Sequence, residues 1–313
     1  MGMELSIPLI TSDQVEATFP LHLAIETQRA VFDAFHRGEA VMGNRGVVTN
    51  GQDASFTYIA RSSASSPTIV KFGSVMNGNS AIDLPVVNSY IAILDPKTGV
   101  LTSFIDGESV TRIRTTAASM LAAQLLANSP KTITIIGAGI QALAHARAAL
   151  EIFFPERIII VARTLNASLT ALTKESEKYE ITENLDEAVN DSDLIFICTN
   201  SVEPVLTRDL KAGTTLISIG SFSPNREEVA GSIVASCDKV FGDDARTIKA
   251  QNGSAISGIK RIPSLDSRIE SIGAVINNPA IGRENPEQTI IYLSVGLGIQ
   301  DAAIVEKYFE LNG

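Results

Sequence analysis

Residues 131–142 read KTITIIGAGIQA, an apolar run that breaks on two glycines and resumes with small and apolar residues at helical spacing. The run predicts a strand buried on both faces, then a tight turn and a helix, with Gly137, Gly139 and Ala142 in a GxGxxA pattern. Each position has its own physical reason. Gly137 permits the turn, Gly139 lets a pyrophosphate approach the backbone, and Ala142 is small enough for helix to pack on strand. The helix N-terminus adds amide donors and the positive end of a dipole. Further along the chain the texture repeats. RIIIVAR (157–163), DLIFICTN (193–200), TTLISIGS (214–221) and DKVFGDD (238–244) are nearly continuous apolar runs separated by helical patterns.

Strands of that kind form a parallel sheet covered on both faces, so this half reads as an α/β, doubly wound, Rossmann-type dinucleotide-binding domain. A dinucleotide site that grips the ribose 2′-hydroxyl of NAD places an acid at the end of the second strand. Here Arg163 and Thr164 stand there, which suits a 2′-phosphate, because Arg clamps phosphate with charged parallel hydrogen bonds. NADP (as NADPH) is the expected cofactor, with NAD possible.

The first half differs. TSDQVE at 11–16 is a capping signature opening a helix expected over residues 11–38. VVTN, SFTYIA, TIVKFGSV, VVNSYIAIL and VLTSFI then predict a mixed or antiparallel sheet over residues 45–105, with DPKTG (95–99) as a turn. Asp106 and Gly107 break the last strand, and a helix is expected to about Leu126. The final run, EQTIIYLSVGLGIQDAAIVEKYFELNG, is expected to return to the first domain. The expected domains are 1–115 with 290–313, an α+β domain, and 116–289, the dinucleotide domain.

The 313 residues suit two domains, and 45% hydrophobic against 19% charged residues is enough apolar material for a sizeable core. Lys plus Arg number 25 against 35 for Asp plus Glu, and a net charge of −10 disfavours nucleic acid as a partner. Two cysteines without CxxC spacing and three histidines supply neither a zinc site nor a disulfide framework. The first residues lack a basic segment followed by an apolar run, and no stretch approaches the ~18 apolar residues of a membrane helix. A cytoplasmic protein without membrane partners is expected.

Three cations in the first half are candidates for substrate chemistry: Arg45 before a β run, Lys71 inside the apolar strand TIVKFGSV, and Arg114 early in a helix. An ammonium in a buried strand is costly unless an anion or a reacting proton needs it, which makes Lys71 the candidate acid or base. Strand alternation equally permits an edge lysine facing water.

DGESVTRIRTTAAS (106–119), IIGAGIQA (135–142), the single Lys of TIVKFGSV and the terminal SVGLGIQD (294–301) together resemble the ornithine cyclodeaminase and mu-crystallin family, over essentially the whole chain. The resemblance implies that the first domain, 1–115 with 290–313, binds substrate and dimerises, and it implies a homodimer and an enzyme acting on small imino or amino acids. It marks Arg45, Lys71 and Arg114 as the carboxylate-binding and catalytic cations. It implies cofactor contacts at Arg114, Thr115, Gly137, Ala138, Gly139, Ile140, Gln141, Arg163, Thr164 and Thr199, with Ser294 and Gly296 near the nicotinamide. Asp301 matches an acid in relatives, for which a contact within the terminal helix is expected.

Departures narrow the activity. Where cyclodeaminases carry a catalytic Asp in a GxDxPGKxE run, this chain has GSFSPNREE (220–228) with Phe222 at that position, so a base for ring closure is missing. Val86 replaces a Thr or Ser often found near the substrate carboxylate. The expected activity is NAD(P)H-dependent reduction of the C=N bond of a small cyclic α-imino acid, of the 1-pyrroline-2-carboxylate or 1-piperideine-2-carboxylate type. The alternatives are an L-amino acid dehydrogenase aminating a 2-oxo acid, an ornithine cyclodeaminase, and a non-catalytic NADPH-binding protein. His145 reads as a packed or surface residue rather than a catalyst, Cys198 as a buried strand residue, and Arg112 as facing solvent or a partner.

Overall fold

The computed structural model describes residues 7–51, 53–82 and 84–312. The chain divides into two units, Met1–Arg114 with Leu297–Gly313, and Thr115–Gly296. The first of the two boundaries falls inside one long helix, α3 (Gly107–Leu126).

In the first unit a short strand β1 (Leu9–Ile10) precedes α1 (Ser12–Thr18) and α2 (Leu21–His36). One helix was expected here. Pro20 divides it, because a proline has no N–H for the helical ladder and fits only where a helix begins. Strands β2 (Val41–Met42), β3 (Gly46–Asn50), β4 (Asp53–Arg61), β5 (Thr68–Val75), β6 (Val87–Leu94) and β7 (Leu101–Asp106) complete a sheet ordered β1-β7-β6-β5-β4-β2, with β3 also on β4. All pairings are antiparallel except β1 with β7. Alternation sends Tyr58, Ala60, Ile69, Lys71, Ile91, Ile93 and Ile105 to the buried face. The terminal helix Gly298–Asn312 lies on that face, with Gly298 so close to β4 that a Cβ would stand 2.8 Å from Tyr58 Cδ2. Helix α3 (Gly107–Leu126) follows β7 directly.

The second unit holds eight strands, all parallel: β8 (Thr132–Ile136), β9 (Arg157–Val161), β10 (Tyr179–Thr182), β11 (Leu194–Ile197), β12 (Thr215–Ser218), β13 (Lys239–Gly242), β14 (Ile269–Ser271) and β15 (Ile290–Leu293). Helix α4 (Ile140–Phe153) joins β8 to β9. The spatial order is β10-β9-β8-β11-β12-β15-β13-β14, which reverses direction between β8 and β11, the switch point where doubly wound sheets bind ligands.

Two expectations need correction. Five parallel strands are legible in the sequence, and β10, β14 and β15 are not; β10 (YEIT) and β14 (IES) are short and buried at one position each, so no continuous apolar run marks them. More consequentially, residues 290–313 do not return as a whole to the first domain. The run IIYL of β15 is buried at all four positions between β12 and β13, so only Leu297 onward belongs to the first unit. Among the described residues, no helix is long and apolar enough to cross a membrane.

Candidate active site

The glycine motif sits at the switch point of the second unit. Gly137 has φ +135°, and its N–H donates to Val161 O at 3.0 Å. A Cβ there would lie 2.5 Å from the carbonyl oxygen of Cys198 after β11, so only glycine fits. Ala142 is buried against this turn, as close packing of helix on strand requires. Gly139 is different. It is the N-cap of α4 with φ −88°, and a Cβ there would meet nothing within 4 Å. The space beside its backbone is open, and no side chain caps the first amides of α4, which leaves those donors for an anion. Ala138 is anchored through its carbonyl, which accepts from Asn166 Nδ2 at 3.2 Å, while the same Asn caps the next helix through Leu169 N at 2.8 Å. Sequence reasoning missed Asn166. Ile140 is exposed, and Gln141 Oε1 is buried with no hydrogen-bond partner.

Arg163 and Thr164 follow β9, both exposed, and neither makes a hydrogen bond or ion pair among the described residues. Thr199 and Ser294 are tied to buried acids. Glu228, fully buried, accepts from Thr199 N at 2.8 Å, Thr199 Oγ1 at 2.5 Å, Ser218 Oγ at 2.8 Å and Gly220 N at 2.6 Å. Asp243 accepts from Ser294 Oγ at 3.0 Å, Val295 N at 3.1 Å and Gly296 N at 2.8 Å, and Gly296 adopts φ +73°. Burial pushes both carboxyls above the usual carboxylate range, against the pull of these donors. Both acids hold loops at the C-terminal ends of strands. Glu228 stands in the run GSFSPNREE, but nothing in the sequence alone marks which of its two glutamates turns inward. Phe222 in that run is partly exposed, with Arg226 Cζ 4.8 Å from its ring centroid. Thr115 is buried on α3.

In the first unit the three cations are arranged unequally. Lys71, only 2% exposed, is directly opposite Tyr58 in the β4–β5 register. Its Nζ donates to Asp301 Oδ1 at 2.7 Å and to Thr111 Oγ1. Asp301, with no exposed surface, also accepts from Tyr58 OH at 2.9 Å through Oδ2, and Arg114 Nε lies 3.9 Å from that oxygen. Arg45 stands over the Tyr58 ring, its Cζ 5.5 Å from the centroid. The buried reading of Lys71 therefore holds, and the expectation for Asp301 is corrected: its partners are on β4, β5 and α3, not within its own helix. Arg112 is paired with Glu16 of α1, in a contact that remains exposed to solvent. Val86 is partly buried and accepts from Met76 N at 2.8 Å.

The electrostatics follow from this packing. Burial lowers the Lys71 ammonium below its ordinary value, Asp301 opposes that, and the positive charges of Arg114 and Arg45 add to it. Burial would raise the Asp301 carboxyl, but Lys71, Arg114 and the hydrogen bonds from Lys71 and Tyr58 hold it below the ordinary value. The Tyr58 phenol is driven well up by burial and by Asp301, so it remains a donor. Two buried cations thus share one carboxylate, a set that suits a further anion.

Residues 9–310 match the profile of the ornithine cyclodeaminase/mu-crystallin family. The Delta(1)-pyrroline-2-carboxylate reductase of Bacillus cereus is 27% identical over 252 residues, covering 77% of this chain and 76% of its own. The ketimine reductase mu-crystallin of Macropus fuliginosus is 25% identical over 295 residues, covering 92% and 90%. The solved structure of Thermococcus litoralis Delta(1)-pyrroline-2-carboxylate reductase in complex with NADH and L-proline has the same fold, with a TM-score of 0.89 at 24% identity over 97% of each chain. With a profile match that runs almost end to end, this chain belongs to the ornithine cyclodeaminase/mu-crystallin family.

Proposed function

We propose that this chain reduces the C=N bond of a small cyclic α-imino acid, 1-pyrroline-2-carboxylate or 1-piperideine-2-carboxylate, using NADPH in preference to NADH. The observation that carries this reading is the buried Lys71–Asp301–Arg114 cluster, which combines a proton-bearing ammonium with a cation whose guanidinium makes no hydrogen bond among the described residues. The Arg114 and Arg45 guanidinium groups bind and orient the substrate carboxylate. Lys71 holds a proton for the imine nitrogen, since an iminium accepts hydride more readily than a neutral imine. Tyr58, kept as a phenol, steadies Asp301.

The open backbone at Gly139 and the uncapped N-terminus of α4 fit the pyrophosphate of a nicotinamide dinucleotide, which when bound supplies the hydride. Arg163 and Thr164, exposed after β9, fit a 2′-phosphate and support the preference for NADPH. Phe222 in place of an acid speaks against ring-closing deamination.

The test is consumption of NADPH and NADH by the purified protein with each cyclic imino acid, and with 2-oxo acids with and without ammonium. Turnover without ammonium is expected, and Lys71→Ala should abolish it while NADPH still binds. An absolute requirement for ammonium would refute the imine reading in favour of an amino acid dehydrogenase.

The homodimer belongs to the same proposal, its support the outward face of the first unit's sheet. Leu9, Ile59, Phe72 and Tyr90 are 40–55% exposed there, with Phe72 directly opposite Tyr90 and their rings 6.2 Å apart. An apolar face of this kind calls for a second copy of the sheet. Light scattering should give twice the chain mass, and Phe72→Lys should halve it.

A further inference from the structure

Asp301 is 230 residues from Lys71 in sequence, and the functional reading gives it no role beyond ion pairing. An ammonium carries three protons. One of those on Lys71 Nζ goes to Asp301 Oδ1, another to Thr111 Oγ1, and no third partner occurs among the described residues. The polarity at Thr111 is fixed: its hydroxyl donates to Gly107 O at 2.5 Å, so a lone pair is what it turns to Lys71. Asp301 cannot swing, because its other oxygen accepts from Tyr58 OH, and Tyr58 is wedged where Gly298 brings the terminal helix onto β4. Arg114 Nε, at 3.9 Å, is beyond hydrogen-bond reach of the carboxylate and does not compete for it.

We propose that Asp301 is a positioning residue: with Thr111 it forms a two-point socket that keeps Lys71 charged and leaves a single N–H free to be aimed at the substrate nitrogen. This rests on the reductase reading. As the C=N bond is reduced, a hydride that the nicotinamide would supply, itself being oxidised, forms the new C–H bond, the π electron pair passes to nitrogen, and nitrogen takes the proton from Lys71. Lys71 becomes a neutral amine and regains a proton from water after product release, and Asp301 stays ionised throughout. The charged and titratable groups facing Lys71 are Asp301 from the terminal helix, Tyr58 from β4, Arg114 from α3 and Arg45 from the segment before β3; Thr111 of α3 is neutral. Only Asp301 favours the ammonium, and the two arginines oppose it.

The experiment follows the charge of Lys71 directly, by NMR of full-length protein carrying 15N-lysine, with the Lys71 signal assigned by its loss in Lys71→Met. In Asp301→Asn the ammonium-to-amine transition should fall by about 1–3 pH units, the effect of removing one close opposite charge. The alkaline limb of kcat for imine reduction should move down with it. Asp301→Glu keeps the charge but displaces Nζ, so the transition should stay in place while kcat falls about a hundredfold. In that variant KM for the imino acid should change less than about threefold, because binding of the carboxylate is left to the arginines. If Asp301→Asn does not fold, Thr111→Val removes the other socket point and should likewise lower kcat without moving the transition. An unshifted transition in folded Asp301→Asn, or wild-type kcat in Asp301→Glu or Thr111→Val, overturns the proposal. Wild-type protein inactive on every cyclic imino acid would overturn the reductase reading instead, and the NMR titration would still decide whether Asp301 keeps Lys71 charged.

Discussion

Replacing His145 by Leu should remove a defined part of the pH dependence of stability. His145 lies on α4 with no exposed surface, its Nδ1 2.7 Å from Gln141 O and its ring 5.4 Å from that of Phe196. Nδ1 therefore carries the proton and donates it, and Nε2 has no hydrogen-bond partner. Adding a second proton would bury an unpaired N–H and a charge, and burial accordingly lowers the imidazole to about 4. In the unfolded chain it titrates near its ordinary value of about 6.5. Between those two values the unfolded state binds the extra proton, so stability rises with pH through this window and is lost as pH falls toward 4. A difference of about 2.5 units at about 1.36 kcal/mol each gives about 3 kcal/mol. Glu228 and Asp243, raised, contribute stability that is lost as pH rises, and Asp301, lowered, contributes stability that is lost as pH falls. These groups are common to both proteins and cancel in the difference. Urea unfolding from pH 4 to 7.5, with hydrogen exchange of α4 amides to localise it, should show wild type gaining about 3 kcal/mol on the variant as pH rises. A difference that stays flat across that range would refute the assignment of a neutral buried imidazole.

Gly137→Ala should lose NADPH binding, because φ +135° and the Cys198 carbonyl 2.5 Å away force the loop to move; strain alone is about 1–3 kcal/mol, and unchanged fluorescence titration of NADPH would contradict it. Arg163→Ala should raise KM for NADPH far more than for NADH, and equal effects in steady-state kinetics would remove the 2′-phosphate reading. Glu228→Gln presents an NH2 to a cluster of donors that includes the N–H groups of Thr199 and Gly220, so at least one is left unpaired. A loss of about 1–3 kcal/mol in urea unfolding is expected, together with weaker cofactor binding. Wild-type stability in that variant would mean the network is not maintained in solution.

The parallel sheet was legible because its central strands, such as IIIV of β9 and LIFI of β11, are apolar at every position, and a strand needs that pattern only when helices cover both faces. The glycine turn was legible because a positive φ and a carbonyl contact leave one residue type possible at Gly137. Short strands such as Ile269–Ser271 were not, being buried at one position with no continuous apolar run to mark them. Nor was the place of Ile290–Leu293, since an apolar run states that it is buried without stating between which neighbours.

By itself, then, the amino-acid sequence determined a doubly wound sheet with a dinucleotide turn, an antiparallel sheet preceding it, and a lysine in the middle of an apolar strand. What it left open was which face of that strand Lys71 occupies and what meets it there. Strand alternation allows either face, and the answer depends on Asp301 arriving from the far end of the chain, on Tyr58 across the register and on Thr111 along α3. Buried charge is tolerated only when partners converge on it from separate elements, and that convergence is a property of tertiary packing.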